Sequence, residues 1–394
     1  MLRRSRFPAL AALVACMFAV AACGGKTSST GPKASTANTA PTGEFDPTRP
    51  TTLAFLAPLT AENTGAAQLG QALANSARLA TGELADPLID LRVYDTGGRP
   101  ELARAAVTRA IGEGARLIMG PLFSTSTRAV AAPAAEKGLK VISFSTDSSI
   151  AGGPVYLSGF LPDMETRRIT SFARAQGYDA IGIFYPKNAA GELALSGARA
   201  GAGQGLAVRT PFERSEQGIG AGASEFAARA RGSGVRAVLI PESGQALSFI
   251  SAQLDQAGVG EGYKFLGNGQ WNSRATLGAT GVRGGWFPAP DPAAMKAFVS
   301  RYRATYGSVP PPLAVLGYDA VQVASQMLIE ARATGSRNPF GQAALTRPQG
   351  YSAATGPIRF GPDGRSERGL SILEVGEAVF NVIDPAPIAF GVGS

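Results

Sequence analysis

The sequence has 394 residues, 45% hydrophobic and 17% charged, which places it among globular chains and makes it too long for one ordinary core, so two lobes are expected. It contains no histidine and only two cysteines, Cys16 and Cys23, both near the amino terminus. Histidine triads, zinc sites, catalytic thiols and disulfides are therefore excluded from the body of the chain, and no enzyme, metal or cofactor is expected. The formal charge of +8 falls to about +5 once the three leader arginines are set aside, and no basic cluster is interleaved with aromatics, so no nucleic-acid partner is expected.

Residues 1–22 pair a basic start (Arg3, Arg4, Arg6) with an apolar run ending in Val20-Ala21-Ala22-Cys23, a signal peptide by its pattern. Small residues before a cysteine at such a boundary resemble a bacterial lipobox, which implies lipidation of Cys23; an ordinary secretory signal cut near Ala22 and an uncleaved anchor are the alternatives. Gly24 rather than aspartate follows, which by resemblance to proteobacterial sorting signals implies the inner leaflet of the outer membrane. Residues 23–50 are rich in Ser, Thr, Gly, Ala and Pro and read as a disordered tether, with a reach of roughly 30 Å for about 27 flexible residues.

From Thr52 onward, short β-forming runs alternate with amphipathic stretches, the pattern of an α/β protein with parallel sheets flanked by helices. Strands are expected over 53–57, 89–95, 116–120, 140–144 and 155–157, with helices over 65–79, 100–113 and 124–137 between them. The segment 160–163 reads as a crossing to a second lobe, with Asp163 capping a helix that runs to Ala175. Strands over 180–185, 206–211, 237–240 and 263–266 continue that lobe, and a second crossing is expected around 286–292. Helices over 293–306 and 314–334 then return to the first lobe, and strands over 358–360, 371–375 and 378–383 close the second in antiparallel fashion. The organisation is thus residues 51–160 plus 291–335 for lobe 1 and residues 161–290 plus 336–394 for lobe 2.

Phe55-Leu56-Ala57-Pro58-Leu59-Thr60, Asp95-Thr96-Gly97-Gly98, the run from Met119 to Ser124 and Phe144-Ser145-Thr146-Asp147, in this order, resemble the type I periplasmic-binding fold over essentially Thr52 to Ile383. Gly120-Pro121-Leu122-Phe123-Ser124, Tyr156-Leu157-Ser158-Gly159-Phe160 and Pro162 through Arg168 most resemble the penicillin-binding-protein activator lipoproteins, and more distantly the branched-chain amino acid-binding proteins. The first resemblance implies an outer-membrane-anchored periplasmic protein that regulates a peptidoglycan synthase. The second implies the substrate-binding lipoprotein of an ABC transporter, with a permease as partner and a small solute as ligand.

In open α/β sheets a ligand sits beyond the carboxyl ends of the strands, where helix amino termini present N–H groups. Ser124, Thr125, Ser126 and Thr127 occupy such a place, and in amino-acid-binding relatives the corresponding loop holds the ligand carboxylate; Ser124 as a plain helix cap is the alternative. Ser145 and Thr146 follow the fourth strand and read either as contacts or as turn formers. In the second lobe, Tyr185 is a strand-end contact or a packed aromatic, and Glu242 a partner for a ligand ammonium or a surface residue. Trp271 stacks on a ligand or walls the lobe, and the resemblance places Tyr318, beside Asp319, at the cleft rim, a purely structural role being the alternative. Asp95 is a turn acceptor, and Asp363 with Glu367 belongs to a hairpin turn rather than to acid–base chemistry. With no ammonium-binding pattern beyond Glu242, common amino acids are not expected to stabilise the protein.

Overall fold

The structure, a computed structural model, describes residues 45–86 and 88–391. The expected signal peptide, Cys23 and most of the tether lie outside the described residues.

The first lobe is built by β1 (Thr51–Ala57), α1 (Thr64–Gly82), β2 (Ile89–Asp95), α2 (Pro100–Gly112), β3 (Leu117–Met119), α3 (Ser124–Glu136), β4 (Lys140–Ser143) and β5 (Val155–Leu157). Its five strands lie in the order β2-β1-β3-β4-β5, all pairs parallel. A parallel sheet needs cover on both faces, and β1 supplies apolar residues to both. Leu53, Phe55 and Ala57 enter one core, while Ala54 and Leu56 enter the other under α2 and α3. The Asn63 side chain accepts from the Ala66 N–H at 2.9 Å and starts α1, and Pro100 stands at the first position of α2, where its missing N–H costs nothing.

After α4 (Pro162–Ala175) come β6 (Ile181–Pro186), α5 (Ala189–Ala202), β7 (Leu206–Phe212), α6 (Glu216–Ala230), β8 (Ala237–Leu239), α7 (Gly244–Gln256), β9 (Lys264–Leu266), α8 (Arg274–Gly278) and β10 (Trp286–Ala289). Counted from β6, the strands run second, first, third, fourth, fifth across the sheet, the same order as in the first lobe. The strand β6 alternates: Ile181, Ile183 and Tyr185 pack towards α4 and α5, whereas Phe184 packs towards α6 and α7. At the sheet edge, β7 buries every second residue, as an edge strand with one solvated face should.

The chain then returns through α9 (Pro292–Tyr306) and α10 (Val315–Thr334), whose Phe298, Tyr302, Val315 and Leu316 join Leu53, Phe55 and Leu73 in the first-lobe core. A short α11 (Gln342–Leu345) follows, then β11 (Ile358–Phe360), β12 (Ser366–Arg368), β13 (Ser371–Val375) and β14 (Phe380–Asp384). The strands β13 and β14 extend the second sheet in antiparallel fashion as expected. The strand β11 does not: it pairs with β12 in a separate hairpin, because Ile358 and Phe360 fill the first-lobe core, with the Phe360 ring 5.8 Å from that of Tyr156. Asp163 also departs from expectation. Pro162 takes the first position of α4, the cap moves back to Leu161, and Asp163 is buried and paired with Arg365 at 3.0 Å.

The helices α1 and α10 touch closely at Gly317, where an added Cβ would lie 2.2 Å from the Leu73 carbonyl oxygen. Gly317→Ala should therefore push α10 off α1 and destabilise the chain by about 1–3 kcal/mol, read as a lower urea midpoint at unchanged slope; an unshifted midpoint would contradict this packing.

Candidate functional site

Both sheets reverse strand order next to their first strand, between β1 and β3 in one lobe and between β6 and β8 in the other. At such a switch point the loops leaving adjacent strands diverge to opposite faces and leave a crevice. In the first lobe this crevice is bounded by residues 58–63 and 120–124, in the second by residues 186–189 and 240–244.

The first-lobe loops are held by polar contacts, exposed or part-buried at Asp95 and buried at Ser143. The Asp95 carboxylate accepts from the N–H groups of Leu59 at 2.8 Å, Thr60 at 3.2 Å and Gly97 at 2.8 Å, and from the Thr60 hydroxyl. Burial opposes its charge, but these bonds outweigh it and hold the carboxyl below its ordinary range. Asp95 is thus a turn acceptor that fixes the loop after β1. Gly120 has φ +86°, and a Cβ there would lie 2.2 Å from the Leu56 carbonyl oxygen, so only glycine lets β3 end this close to β1.

Phe123, at the cap position of α3, makes no side-chain cap bond, and the first turn of the helix has no acidic residue. The first N–H groups of α3, which as at any helix start have no intrahelical acceptor, therefore receive none from a cap side chain either. Ser124, at the first helical position, is half-buried; Thr125 is exposed, and Ser126 is buried with its hydroxyl unpartnered among the described residues. Thr127 turns inward: its hydroxyl donates to the Phe123 carbonyl at 3.0 Å and lies 2.8 Å from the Ser143 hydroxyl. Ser143 accepts in turn from the Ser145 N–H at 3.1 Å, so Thr127 and Ser143 tie together the loops after β3 and β4. Ser145 is buried and accepts from the Asp147 N–H at 3.2 Å, Thr146 is exposed, and Asp147 pairs with Arg128 at 3.1 Å.

In the second lobe Glu242 lies at the switch point, buried, with its carboxylate 3.2 Å from the exposed Arg214 guanidinium. Burial pushes its carboxyl up, opposed by Arg214 and by the Ser243 N–H. The other second-lobe candidates face inward. Tyr185 packs with Ile169, Ala194 and Ala198, on the same face of β6 as Ile181 and Ile183. Trp271 is fully buried, its indole N–H donating to the Ile240 carbonyl at 3.1 Å, so it walls the lobe and supports the loop before Glu242. Tyr318 is buried in the first-lobe core: its hydroxyl meets Glu83, which closes the carboxyl end of α1, and lies 3.3 Å from Arg301.

Sequence reasoning passed over the residues at the crossing. Glu165, in the first turn of α4, is buried and accepts from the Gly269 N–H at 3.1 Å. Arg368 of β12 is buried against Asp319 of α10 at 2.8 Å. Neither carries a local signature, since each is defined by partners about a hundred or about fifty residues away.

A family model described as periplasmic binding protein matches residues 50–378, and the chain belongs to that family. Its fold is the type I periplasmic binding fold. No curated protein matches the sequence. Among solved structures, a Rhodospirillum rubrum chain named for branched-chain amino acid ABC transport aligns with TM-score 0.73 and 19% identity, covering 85% of this chain and 100% of that one. An ABC transporter substrate-binding protein from Desulfitobacterium hafniense, in complex with Leu, gives TM-score 0.61 at 16% identity over 85% and 100% of the two chains. A solute-binding protein of an R. palustris ABC transporter, in complex with 4-hydroxybenzoate, gives 0.59 at 16% identity over 86% and 98%.

Burial, opposed by the Gly269 N–H and reinforced by the Asp163 charge, raises the Glu165 carboxyl from 4.5 to about 7. A folded-state value raised above the unfolded one gives stability that is present below pH 4.5 and lost as pH climbs through about 7. Relative to wild type, Glu165→Gln should gain about 3 kcal/mol across that interval, measured by urea unfolding at a series of pH values. A difference that stays constant with pH would show that the buried carboxyl does not titrate there.

Proposed function

We propose that this protein is the solute-binding component of an ABC importer, and that it captures a small solute bearing a carboxylate and no ammonium group. The observation that carries the reading is the uncapped amino terminus of α3 at the first-lobe switch point, where free N–H groups and the hydroxyls of Ser124 and Thr125 offer donors and no competing acid. Leucine and 4-hydroxybenzoate, held by two of the structural relatives, share a carboxylate. On the facing lobe the buried Glu242 carboxylate is already paired with Arg214, so a ligand ammonium finds no unengaged acid at this position.

This reading takes precedence over the activator-like one: the relatives named above are transporter components, and none carries a peptidoglycan-synthase partner in its name. It retains the expected signal peptide and the acylated Cys23 as a periplasmic tether. An importer receptor must meet a permease in the inner membrane, so the outer-membrane assignment drawn from Gly24 does not accompany it.

Aromatic and aliphatic carboxylates, 4-hydroxybenzoate among them, should raise the melting temperature of the purified chain, by about 2.7 kcal/mol of added stability at one hundred times the dissociation constant. Leucine should leave it unchanged. Thr125→Asp places a negative charge where a helix start welcomes one, so the free protein should melt no lower than wild type while the carboxylate response disappears. Stabilisation by leucine would refute the ammonium argument. Failure of every carboxylate, together with crosslinking of the intact protein to a peptidoglycan synthase, would restore the activator reading.

A further inference from the structure

A further cavity, part-open to solvent, lies beside the first crossing, apart from both switch points. It has a volume of about 140 Å³ and is walled by the crossing residues Gly159 and Phe160, by one flank of α4 (Glu165, Arg167 and Arg168 among them) and by Ser366 and Arg368 of β12. A cavity of roughly 150 Å³ is known to admit a molecule of benzene size, so this one is large enough for a single small ion with a carboxylate or tetrahedral oxyanion head.

Its polar groups are arranged unequally. Arg368 donates one terminal nitrogen to Asp319 at 2.8 Å and to Thr355, and the other to the Ser158 carbonyl, with its guanidinium 4.9 Å from the centre of the Phe160 ring. Its remaining nitrogen, Nε, is buried without an acceptor among the described residues, and the Ser366 hydroxyl is likewise unpartnered. A buried donor left unpaired costs about 1–3 kcal/mol, so an acceptor that reaches it is favoured. Arg167 is exposed, has no ion pair or side-chain hydrogen bond among the described residues, and borders both this cavity and the adjoining groove beside Arg365, which places it at the mouth.

The other charges on the wall are engaged. Arg168 pairs with Asp384 and donates to the Leu370 carbonyl, Glu367 pairs with Arg359 at 2.8 Å, and Glu165 accepts from Gly269. Three arginines against two carboxylates leave a positive balance, and Arg167 is the arginine without a partner among the described residues. A metal cation has no ligand set here: among the described residues no cluster of three or more acidic, cysteine or histidine side chains could hold one.

We propose that this cavity is a binding site for a small oxyanion, received by Arg167 at the mouth and by Arg368 Nε and the Ser366 hydroxyl inside, and that the ion ties α4 of the second lobe to β12 beside the crossing. Its seat differs from that of a solute at the switch points, and a bound ion there stiffens the segment about which the lobes would move.

The test uses sodium sulfate on the purified full chain against sodium chloride at matched ionic strength, at low millimolar concentration where general salting effects are small. Calorimetric titration and thermal melts should show saturable sulfate binding to wild type. Arg167→Gln, an exposed change that leaves the core untouched, should abolish it; Ser366→Ala should weaken it several-fold. Thr125→Asp should leave it intact, which separates this site from any anion held at the start of α3. No saturable response, an equal response in Arg167→Gln, or loss in Thr125→Asp would each overturn the proposal.

Discussion

The buried guanidinium of Arg368 is the interaction on which the joining of the lobes depends. It meets Asp319 of α10, Thr355 in the approach to β11 and the Ser158 carbonyl at the exit of β5, three segments that are remote in the chain. Both members of the ion pair are almost wholly removed from water, with 4% and 2% of their side-chain surface exposed. Burying two charges gains little net stability over an apolar pair, but removing one partner strands the other at a cost of about 3–5 kcal/mol. The pair therefore acts chiefly to specify geometry. It keeps the hairpin of β11 and β12 on the first lobe, while Arg365, immediately before β12, reaches Asp163 of α4 in the second.

From that junction the two lobes follow one plan. Each is a parallel sheet whose first strand lies second from the edge, and each therefore opens a crevice where the order reverses. What differs is how the crevices are furnished. The first lobe presents an uncapped helix start and hydroxyl groups over a loop pinned by Asp95; the second presents Glu242 already bound to Arg214. One lobe offers donors and the other a satisfied ion pair, the asymmetry on which the proposed preference for anionic solutes rests.

Much of this was legible in the sequence. The short β-forming runs, the helix expected from Pro100 and the hydroxyl-rich segment after β3 are local signals, and local signals fix strand, helix and loop because backbone geometry acts over a few residues. The positions of Ser124 and Thr125 beyond a strand end followed from the same pattern. Composition by itself narrowed the chemistry, since the chain has no histidine and no cysteine beyond residue 23.

Tertiary structure alone decided which strong residues face a ligand and which face a neighbour. Trp271 and Tyr318 are polar-tipped aromatics that suit either place, and they turned inward because Ile240 and Glu83 offered acceptors from other elements. The strand β11 left the second sheet because its two apolar side chains found more to bury against Tyr156 in the first lobe. Glu165 and Arg368 became the charged groups of the crossing through partners far along the chain, a choice that no local pattern can encode, since sequence determines what each segment can form and only packing determines what it meets.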